Sequence, residues 1–208
     1  NVDDARAADM AGVDVIVAQG AEAGGHRSVW REGARADVGT FALVPEVVDA
    51  VRAPVVAAGG IADGRGLAAA LALGAAGVLL GTRFVATRES TAPDFWKRAI
   101  LESASDRTTV TRAFTGLPAR VIRNRFQEEY ERANAPVLPG LLQSSLELDI
   151  WSAAARRGTP DFFPLYAGQS VGVIHDLPGA AEVVASIVRE AASVVQGLGA
   201  GGLGLEGS

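Results

Sequence analysis

Residues 13–20 read VDVIVAQG, residues 54–60 read PVVAAGG and residues 77–82 read GVLLGT. Each segment is a short apolar run, rich in β-branched or small residues, and each reaches glycine at its end, which is typical of a buried strand that stops at a turn. Between these runs, residues 41–51 and 64–73 have the apolar spacing or the alanine content of helices. Alternating strands and helices predict parallel βα units, because parallel strands that are covered on both faces need no polar alternation.

The predicted fold class is α/β, with the architecture of a (β/α)8 barrel of the TIM type. A complete barrel of this kind has about 250 residues and eight strands, whereas this chain has 208 residues and shows three such strands. We therefore expect an incomplete barrel. Carboxy-terminal βα units are predicted at residues 1–90, a helical extension that packs on them at residues 91–196, and a flexible tail at residues 197–208. The extension includes an amphipathic helix at residues 180–195.

The composition narrows the classes of function. Apolar residues make up 49% of the chain and charged residues 21%, the proportions of an ordinary globular protein. A net charge of -5 provides no basic surface for nucleic acid. The absence of cysteine excludes disulfides, thiolate metal sites and cysteine nucleophiles, and it fits a cytoplasmic protein. The longest apolar stretches are interrupted by glycine, so we expect no span of the roughly 20 residues that a membrane needs.

Glycine follows each of the three predicted strands. The residues at these strand ends are Gly24 and Gly25, Gly59 and Gly60, and Gly81 with Thr82. In a parallel α/β fold such positions meet at the carboxyl edge of the sheet, where ligands bind. Glycine lets backbone N–H groups approach a phosphate, and a helix that starts just after Gly60 or Gly81 adds the positive end of its dipole. Turn formation would explain any one loop, but three loops in register favour a phosphate-bearing cofactor. Since the G-x-G-x-x-G spacing and the P-loop are absent, a mononucleotide such as FMN is expected.

His26 is the candidate catalytic base. The chain has two histidines: His26 follows the glycine loop after the first strand, whereas His175 lies beside Asp176, shortly before the last helix. An imidazole removes protons at physiological pH, which other unshifted side chains do poorly. We expect no chemistry from His175, and we interpret Glu22 as a solvated loop carboxylate. No metal site is predicted, because no second histidine and no cysteine cluster lies near His26, and no G-x-S-x-G hydrolase motif occurs.

Residues 19–26, QGAEAGGH, resemble the QGxEAGGH motif of the nitronate monooxygenases, formerly called 2-nitropropane dioxygenases. The similarity continues through VAAGGIADG at 56–64, GTRF at 81–84, TRAFTG at 111–116 and AGQ at 167–169, so it covers essentially the whole chain except its tail. By this resemblance the chain is similar to the carboxy-terminal portion of an FMN-dependent oxidoreductase.

The resemblance also implies roles for individual residues. Carried over by position, Gln19 and Gly24 would contact the flavin. The ribityl phosphate would be held by Gly60, Leu79, Leu80, Gly81 and Thr82. Gly25 and Gly59 complete the expected set of cofactor contacts. His26 would remove the α-proton of a nitroalkane. Oxidation of the nitronate with O2 would then yield a carbonyl compound and nitrite, with the flavin supplying the redox chemistry.

Three alternatives stay open. The motifs between residues 19 and 84 also occur in FMN-dependent enoyl-acyl-carrier-protein reductases that use NAD(P)H, although residues 168–178 look more like the monooxygenases. A second alternative is a flavin-binding barrel fragment without catalytic activity. A third is a fragment that associates through its open strand edge, with another copy as a homo-oligomer or with a missing half. The expected small-molecule partners are a nitronate or nitroalkane and O2.

Overall fold

The computed structural model of the protein describes residues 1–30, 36–140 and 142–200. The helices are α1 (Val2–Met10), α2 (Thr40–Ala50), α3 (Gly64–Ala72), α4 (Thr82–Val85), α5 (Asp94–Glu102), α6 (Arg125–Arg132), α7 (Leu142–Arg157) and α8 (Ala180–Ala200). The strands are β1 (Ile16–Gln19), β2 (Gly25–His26), β3 (Val55–Ala58), β4 (Gly77–Leu79), β5 (Thr108–Thr111) and β6 (Ala119–Ile122). Short 3-10 helices occupy Ser105–Arg107 and Gln169–Val173.

A parallel sheet of order β1-β3-β4 confirms the three predicted strands and the α/β class. Ile16 lies opposite Val55 and Val56 opposite Gly77, so the three strands end at one edge. Helix α2 connects β1 to β3, and α3 connects β3 to β4, as the alternating pattern predicts. The structure therefore contains successive βα units whose carboxyl ends lie side by side.

One face of this sheet is covered and the other is open. The covered face packs on α1 and α2, and its buried residues include Ala5, Ile16, Ala18, Leu43, Val44, Val47, Val55 and Ala57. On the other face Val17 is 46% exposed and Leu79 is 51% exposed. We predicted strands covered on both faces, and for the described residues this is wrong at β1 and β4. The side chains on this open face are nevertheless apolar, which is typical of strands that are buried on both faces.

A second sheet corrects the prediction that residues 91–196 form a helical extension. Strands β2, β6 and β5 form an antiparallel sheet in the order β2-β6-β5, with Thr108 opposite Ile122 and Gly25 opposite Arg120. The sequence TTVT of β5 and ARVI of β6 mix polar with β-branched residues. This pattern suits a partly buried antiparallel ladder and lacks the continuous apolar run that marks the parallel strands. The helical interpretation is therefore wrong for residues 108–122.

Helix α8 extends the predicted amphipathic helix to Ala200, so the tail predicted from residue 197 is helical up to that point. The rest of the predicted tail, 201–208, lies outside the described residues. Val183, Ile187 and Ala191 form the buried face of α8, which packs against α3. Within the described ranges α8 is also long and apolar enough to cross a membrane, judged by length and composition alone. Packing of one face on a neighbouring helix is equally typical of a peripheral helix in an α/β protein.

Candidate functional site

A cavity of about 210 Å³ lies at the carboxyl ends of β1, β3 and β4. Its lining includes all but one of the predicted cofactor residues: Gln19, Gly24, Gly25, Gly59, Gly60, Leu79, Gly81 and Thr82. Leu80 is the exception, since it packs against the apolar core behind the sheet. Side chains that the sequence did not assign complete the wall, namely those of Ile61, Val85, Trp96, Tyr166 and Ser170. The three glycine loops thus face one shared space.

Two glycine loops have the geometry of a ligand cradle. Gly59 and Gly60 have φ values of 111° and 72°, which side-chain-bearing residues rarely adopt. Gly81 has an ordinary φ of -93°, and a Cβ added there would meet no protein atom within 4 Å. Apart from bonds within the strand ladders, the N–H groups of Gly60 and Gly81 form no hydrogen bond to another described residue. Neither backbone strain nor packing against the described residues accounts for glycine at position 81.

The other glycines at the site are explained by the fold itself. A Cβ on Gly24 would lie 2.5 Å from the backbone of Ala167 and Gly168. The same loop receives a hydrogen bond from Gln169 N to Glu22 O at 2.9 Å, and Gly168 N donates to the Thr82 hydroxyl at 2.9 Å. Gly24 is therefore needed for the close packing of two backbones, and the segment after Tyr166 is fixed against the glycine loops.

The amino terminus of α3 does not offer the free dipole end that we expected after Gly60. Asp63 caps this helix and accepts hydrogen bonds from Arg65 N and Gly66 N. Glu190, reaching across from α8, accepts a hydrogen bond from Gly64 N at 3.0 Å. Two carboxylates thus occupy the first N–H groups of α3 and oppose a bound anion there. The expectation of a free dipole end at the start of this helix is therefore wrong.

His26 lies on β2, next to the cavity but outside its lining. Its Nε2 atom lies 2.9 Å from Thr115 Oγ1, and its ring centroid is 5.7 Å from that of Tyr166, which lines the cavity. Partial burial, and next the positive charge of Arg27, lower the pKa of His26 below its ordinary value of 6.5. The imidazole is therefore neutral at neutral pH, which is the form that accepts a proton.

Gln19 holds the backbone between His26 and Ser28, on both sides of Arg27. Its Nε2 donates to His26 O at 3.1 Å, and Ser28 N donates to its Oε1 at 2.9 Å. Strand pairing adds a second restraint, because His26 lies opposite Ala119 in the antiparallel sheet. Gln19 therefore has a structural role at the site in addition to its place in the cavity wall.

Glu22 is not the solvated carboxylate that we expected. Both of its oxygens accept from Thr40 N, at 3.0 and 2.9 Å, and Oε2 also accepts from the Thr40 hydroxyl at 2.8 Å. Thr40 is the first residue of α2, so Glu22 acts as a cap from a distant part of the chain. The side chain links the glycine loop to α2. It also lies close to Gly39 and Gly60, where an added Cβ would touch it.

A larger cavity of about 710 Å³ lies between α8 and the segment around residues 173–178, and none of the predicted site residues lines it. His175 is there, exposed, beside Asp176. Asp176 pairs with the buried Arg83 at 2.7 Å. Across the described ranges, no three histidine, aspartate or glutamate side chains come together to hold a metal ion.

Several residues of the site were missed because their signals are weak in sequence. Tyr166 and Trp96 pack near each other, with ring centroids 6.3 Å apart, yet neither follows a predicted strand. Thr115 belongs to the resemblance segment TRAFTG, which we quoted without assigning a role. An aromatic or hydroxyl residue without a strand end beside it is more often part of a core, so only tertiary structure reveals its place at the cavity.

Comparison with known proteins places the chain in a family. The sequence profile of the nitronate monooxygenase family matches residues 1–190. A probable nitronate monooxygenase of Staphylococcus aureus strain MSSA476 is 41% identical over 198 residues, which cover 94% of this chain and 56% of that protein. The corresponding protein of strain Newman is 40% identical over the same length. This chain thus spans little more than half the length of these curated relatives.

Solved structures give the same result. The nitroalkane oxidase of Streptomyces ansochromogenes superposes with a TM-score of 0.87 at 39% identity, over 95% of this chain and 57% of that one. FabK of Thermotoga maritima superposes with a TM-score of 0.79 at 37% identity, over 94% of this chain and 60% of that one. The family profile, the sequence relatives and the solved structures all agree with the resemblance of the QGAEAGGH segment. The chain therefore belongs to the nitronate monooxygenase family.

Proposed function

We propose that this chain is the carboxy-terminal portion of an FMN-dependent nitronate monooxygenase. In the complete protein it would oxidise alkyl nitronates or nitroalkanes with O2 to a carbonyl compound and nitrite. The observation that carries the proposal is the convergence of the Gly59, Gly60 and Gly81 loops on one cavity, beside the imidazole of His26. Family membership supports FMN as the cofactor, since members and their structural relatives are FMN-dependent flavoenzymes.

The residues present fit a flavin phosphate. The backbone amides at Gly60 and Gly81, which have no acceptor outside the strand ladders among the described residues, are donors suited to phosphate oxygens, and Gly81 leaves the space that a Cβ would fill. The hydroxyl of Thr82 lines the same cavity. We assign these residues to the phosphate end, and Gln19 with Gly25 to the ring end, nearer to His26.

His26 is proposed as the base that removes the α-proton of a nitroalkane. Thr115 Oγ1 lies 3.3 Å from Leu117 O, which can only accept a hydrogen bond. When the hydroxyl donates there, the Nε2–H of His26 donates to Thr115, and Nδ1 keeps the lone pair that accepts the proton. FMN, when bound, supplies the electron transfer and the reaction with O2. The protein binds, orients and deprotonates the substrate.

The open face of the parallel sheet supports a closed barrel in the complete protein. Val17 and Leu79 project from β1 and β4 on the side that the described residues leave uncovered. In a (β/α)8 barrel such residues fill the interior, together with side chains of the remaining strands. We therefore include barrel closure in the proposal, and also a cytoplasmic location, which the absence of cysteine favours.

The decisive experiment is an anaerobic titration of the flavin-loaded protein, prepared from the longest natural polypeptide that contains this chain. Bleaching of the flavin absorbance by an alkyl nitronate, followed by nitrite release on admission of O2, is the expected result. Bleaching by NADPH but not by nitronate, with turnover of an enoyl thioester, would instead establish the reductase alternative.

The two histidines provide a matched pair of variants. We expect His26→Gln to bind flavin and to retain turnover of a preformed nitronate better than turnover of the neutral nitroalkane, because only the nitroalkane needs a proton removed. His175→Gln lies in the other cavity and should behave as the parent protein. Equal nitroalkane turnover by both variants would rule out His26 as the base.

A further inference from the structure

Arg27 folds back on the glycine loop that precedes it. Its guanidinium donates to Gly20 O at 3.0 Å, to Ala21 O at 3.2 Å and, by a short hydrogen bond, to Ala23 O. The residue is only 8% exposed, and its backbone N–H donates to Pro118 O at 2.9 Å. One side chain thus closes the loop that runs from β1 to His26 and lines the cofactor cavity.

Burial of the positive charge of Arg27 costs free energy. Its acceptors are carbonyl groups, and the buried Nε atom has no partner among the described residues. Burial, and next the neighbouring Arg120, lower the pKa of Arg27 to about 10, and Glu22 opposes that effect in part. The carbonyl groups accept hydrogen bonds from the guanidinium but do not neutralise its positive charge. The buried charge of Arg27 therefore acts on the groups around it.

The imidazole of His26 is the neighbouring group that this charge can affect. Four groups with charge or titratable protons face His26 or its loop: Arg27 beside it on the chain, Arg120 of β6 opposite Gly25, Glu22 in the loop, and Tyr166 against the ring. The pKa of Tyr166 is raised to about 12 by burial and then by Glu147, so this hydroxyl stays neutral. Thr115, the hydrogen-bond partner of the ring, carries no charge. Arg27 follows His26 directly along the chain, and after burial its positive charge is the next cause that lowers the pKa of the imidazole.

We infer that Arg27 is a positioning residue for His26, whose buried guanidinium both closes residues 20–25 into a fixed loop and keeps a positive charge beside the imidazole. The inference deepens the proposed function, because a base must be neutral before it accepts a proton. In this view the loop geometry and the protonation state of the base depend on the same side chain.

The first arm of the test measures the protonation of His26 directly, by NMR titration of the imidazole resonances. This chain has two histidines, and the spectrum of His26→Gln assigns the signal. We expect Arg27→Met to raise the titration midpoint of His26 by about half a pH unit, the size expected for a cation several ångströms away in a partly buried site. Arg27→Lys keeps the charge and should leave the midpoint near that of the parent protein.

Arg125 provides the matched control, because its side chain is exposed and pairs with Glu129. Arg125→Met should leave the His26 midpoint unchanged. An unchanged midpoint in Arg27→Met, or an equal shift in Arg125→Met, would overturn the electrostatic half of the inference.

The second arm tests the loop. A lysine cannot reach three carbonyls with a planar fork, so Arg27→Lys should lower nitroalkane kcat/KM about tenfold at every pH without moving the acid limb of its profile. Wild-type kcat/KM in Arg27→Lys would overturn the positioning half, and this arm remains available if Arg27→Met does not fold. Failure of the proposed function is seen separately, as full nitroalkane activity of His26→Gln, and the NMR result does not depend on it.

Discussion

Glu147 gives a prediction about stability that does not depend on the function. The side chain lies on α7 and is 4% exposed. Gln143 donates a short hydrogen bond to Oε1, whereas Oε2 has no partner within the described residues. Burial raises the pKa of Glu147 to about 7, and the facing groups of Gln143 and Trp151 offset part of the effect. The folded protein therefore binds the proton of this carboxyl more tightly than the unfolded chain does.

The sign of the effect follows from that difference. A carboxyl whose pKa is higher in the folded state stabilises the fold fully below its unfolded pKa of 4.5, and this contribution is lost as the pH rises through about 7. The difference between the two pKa values corresponds to on the order of 3 kcal/mol at most. Opening of the site to water on ionisation would reduce the figure.

The perturbation is Glu147→Gln, which keeps the shape and removes the titration. The free energy of unfolding is measured by urea denaturation at pH 5 and pH 9 for parent and variant. We expect the parent protein to lose on the order of 3 kcal/mol more than the variant between these pH values. Glu128→Gln, an exposed site on α6, is the control and should follow the parent. Parallel pH dependence of parent and Glu147→Gln would refute the reasoning.

Three further predictions concern the site. Gly81→Ala should leave the stability of the flavin-free protein within about 0.5 kcal/mol yet weaken flavin binding measured by fluorescence titration. Gly197→Ala on α8 should leave flavin affinity unchanged, and unchanged flavin affinity in Gly81→Ala would contradict a cofactor contact at this glycine. Thr115→Val should lower nitroalkane turnover about tenfold, the loss of one hydrogen bond to the base, with flavin affinity unchanged; undiminished turnover would show that the imidazole needs no such partner. Glu22→Ala should cost about 1–2 kcal/mol in urea unfolding, because Thr40 at the start of α2 loses its acceptor; a smaller loss would mean that water replaces the carboxylate.

The parallel strands could be predicted because each is a continuous apolar run that ends in glycine. Residues 55–58 and 77–79 carry enough local information to identify a buried strand, and the βα order then determines that their ends meet. Strands β5 and β6 lack this local signal. They pair with each other across a short connection, whereas β2 pairs with β6 about 90 positions further along the chain, which periodicity within one segment does not reveal.

At the site, sequence predicted which loops converge but not why each glycine is there. Gly24 and Gly81 look equivalent as strand-end glycines, yet the first avoids a clash with Ala167 and the second faces open space. Glu22 has the sequence context of a loop carboxylate, and its acceptor role depends on Thr40, which is 18 positions away. Such distinctions depend on tertiary neighbours, so only the coordinates supply them.

The hydrogen bond from Gly64 N to Glu190 ties the segment after Gly59 and Gly60 to helix α8. A Cβ on Gly64 would lie 2.2 Å from the Cβ of Glu190, so α3 and α8 approach there at backbone distance. No residue of α8 lines the cavity at the strand ends, where we propose that the flavin binds. Even so, removing this helix would take the acceptor from Gly64 N and loosen the loop of Gly59 and Gly60, which we propose binds the phosphate. A truncation chosen to spare every lining residue should therefore still release the cofactor.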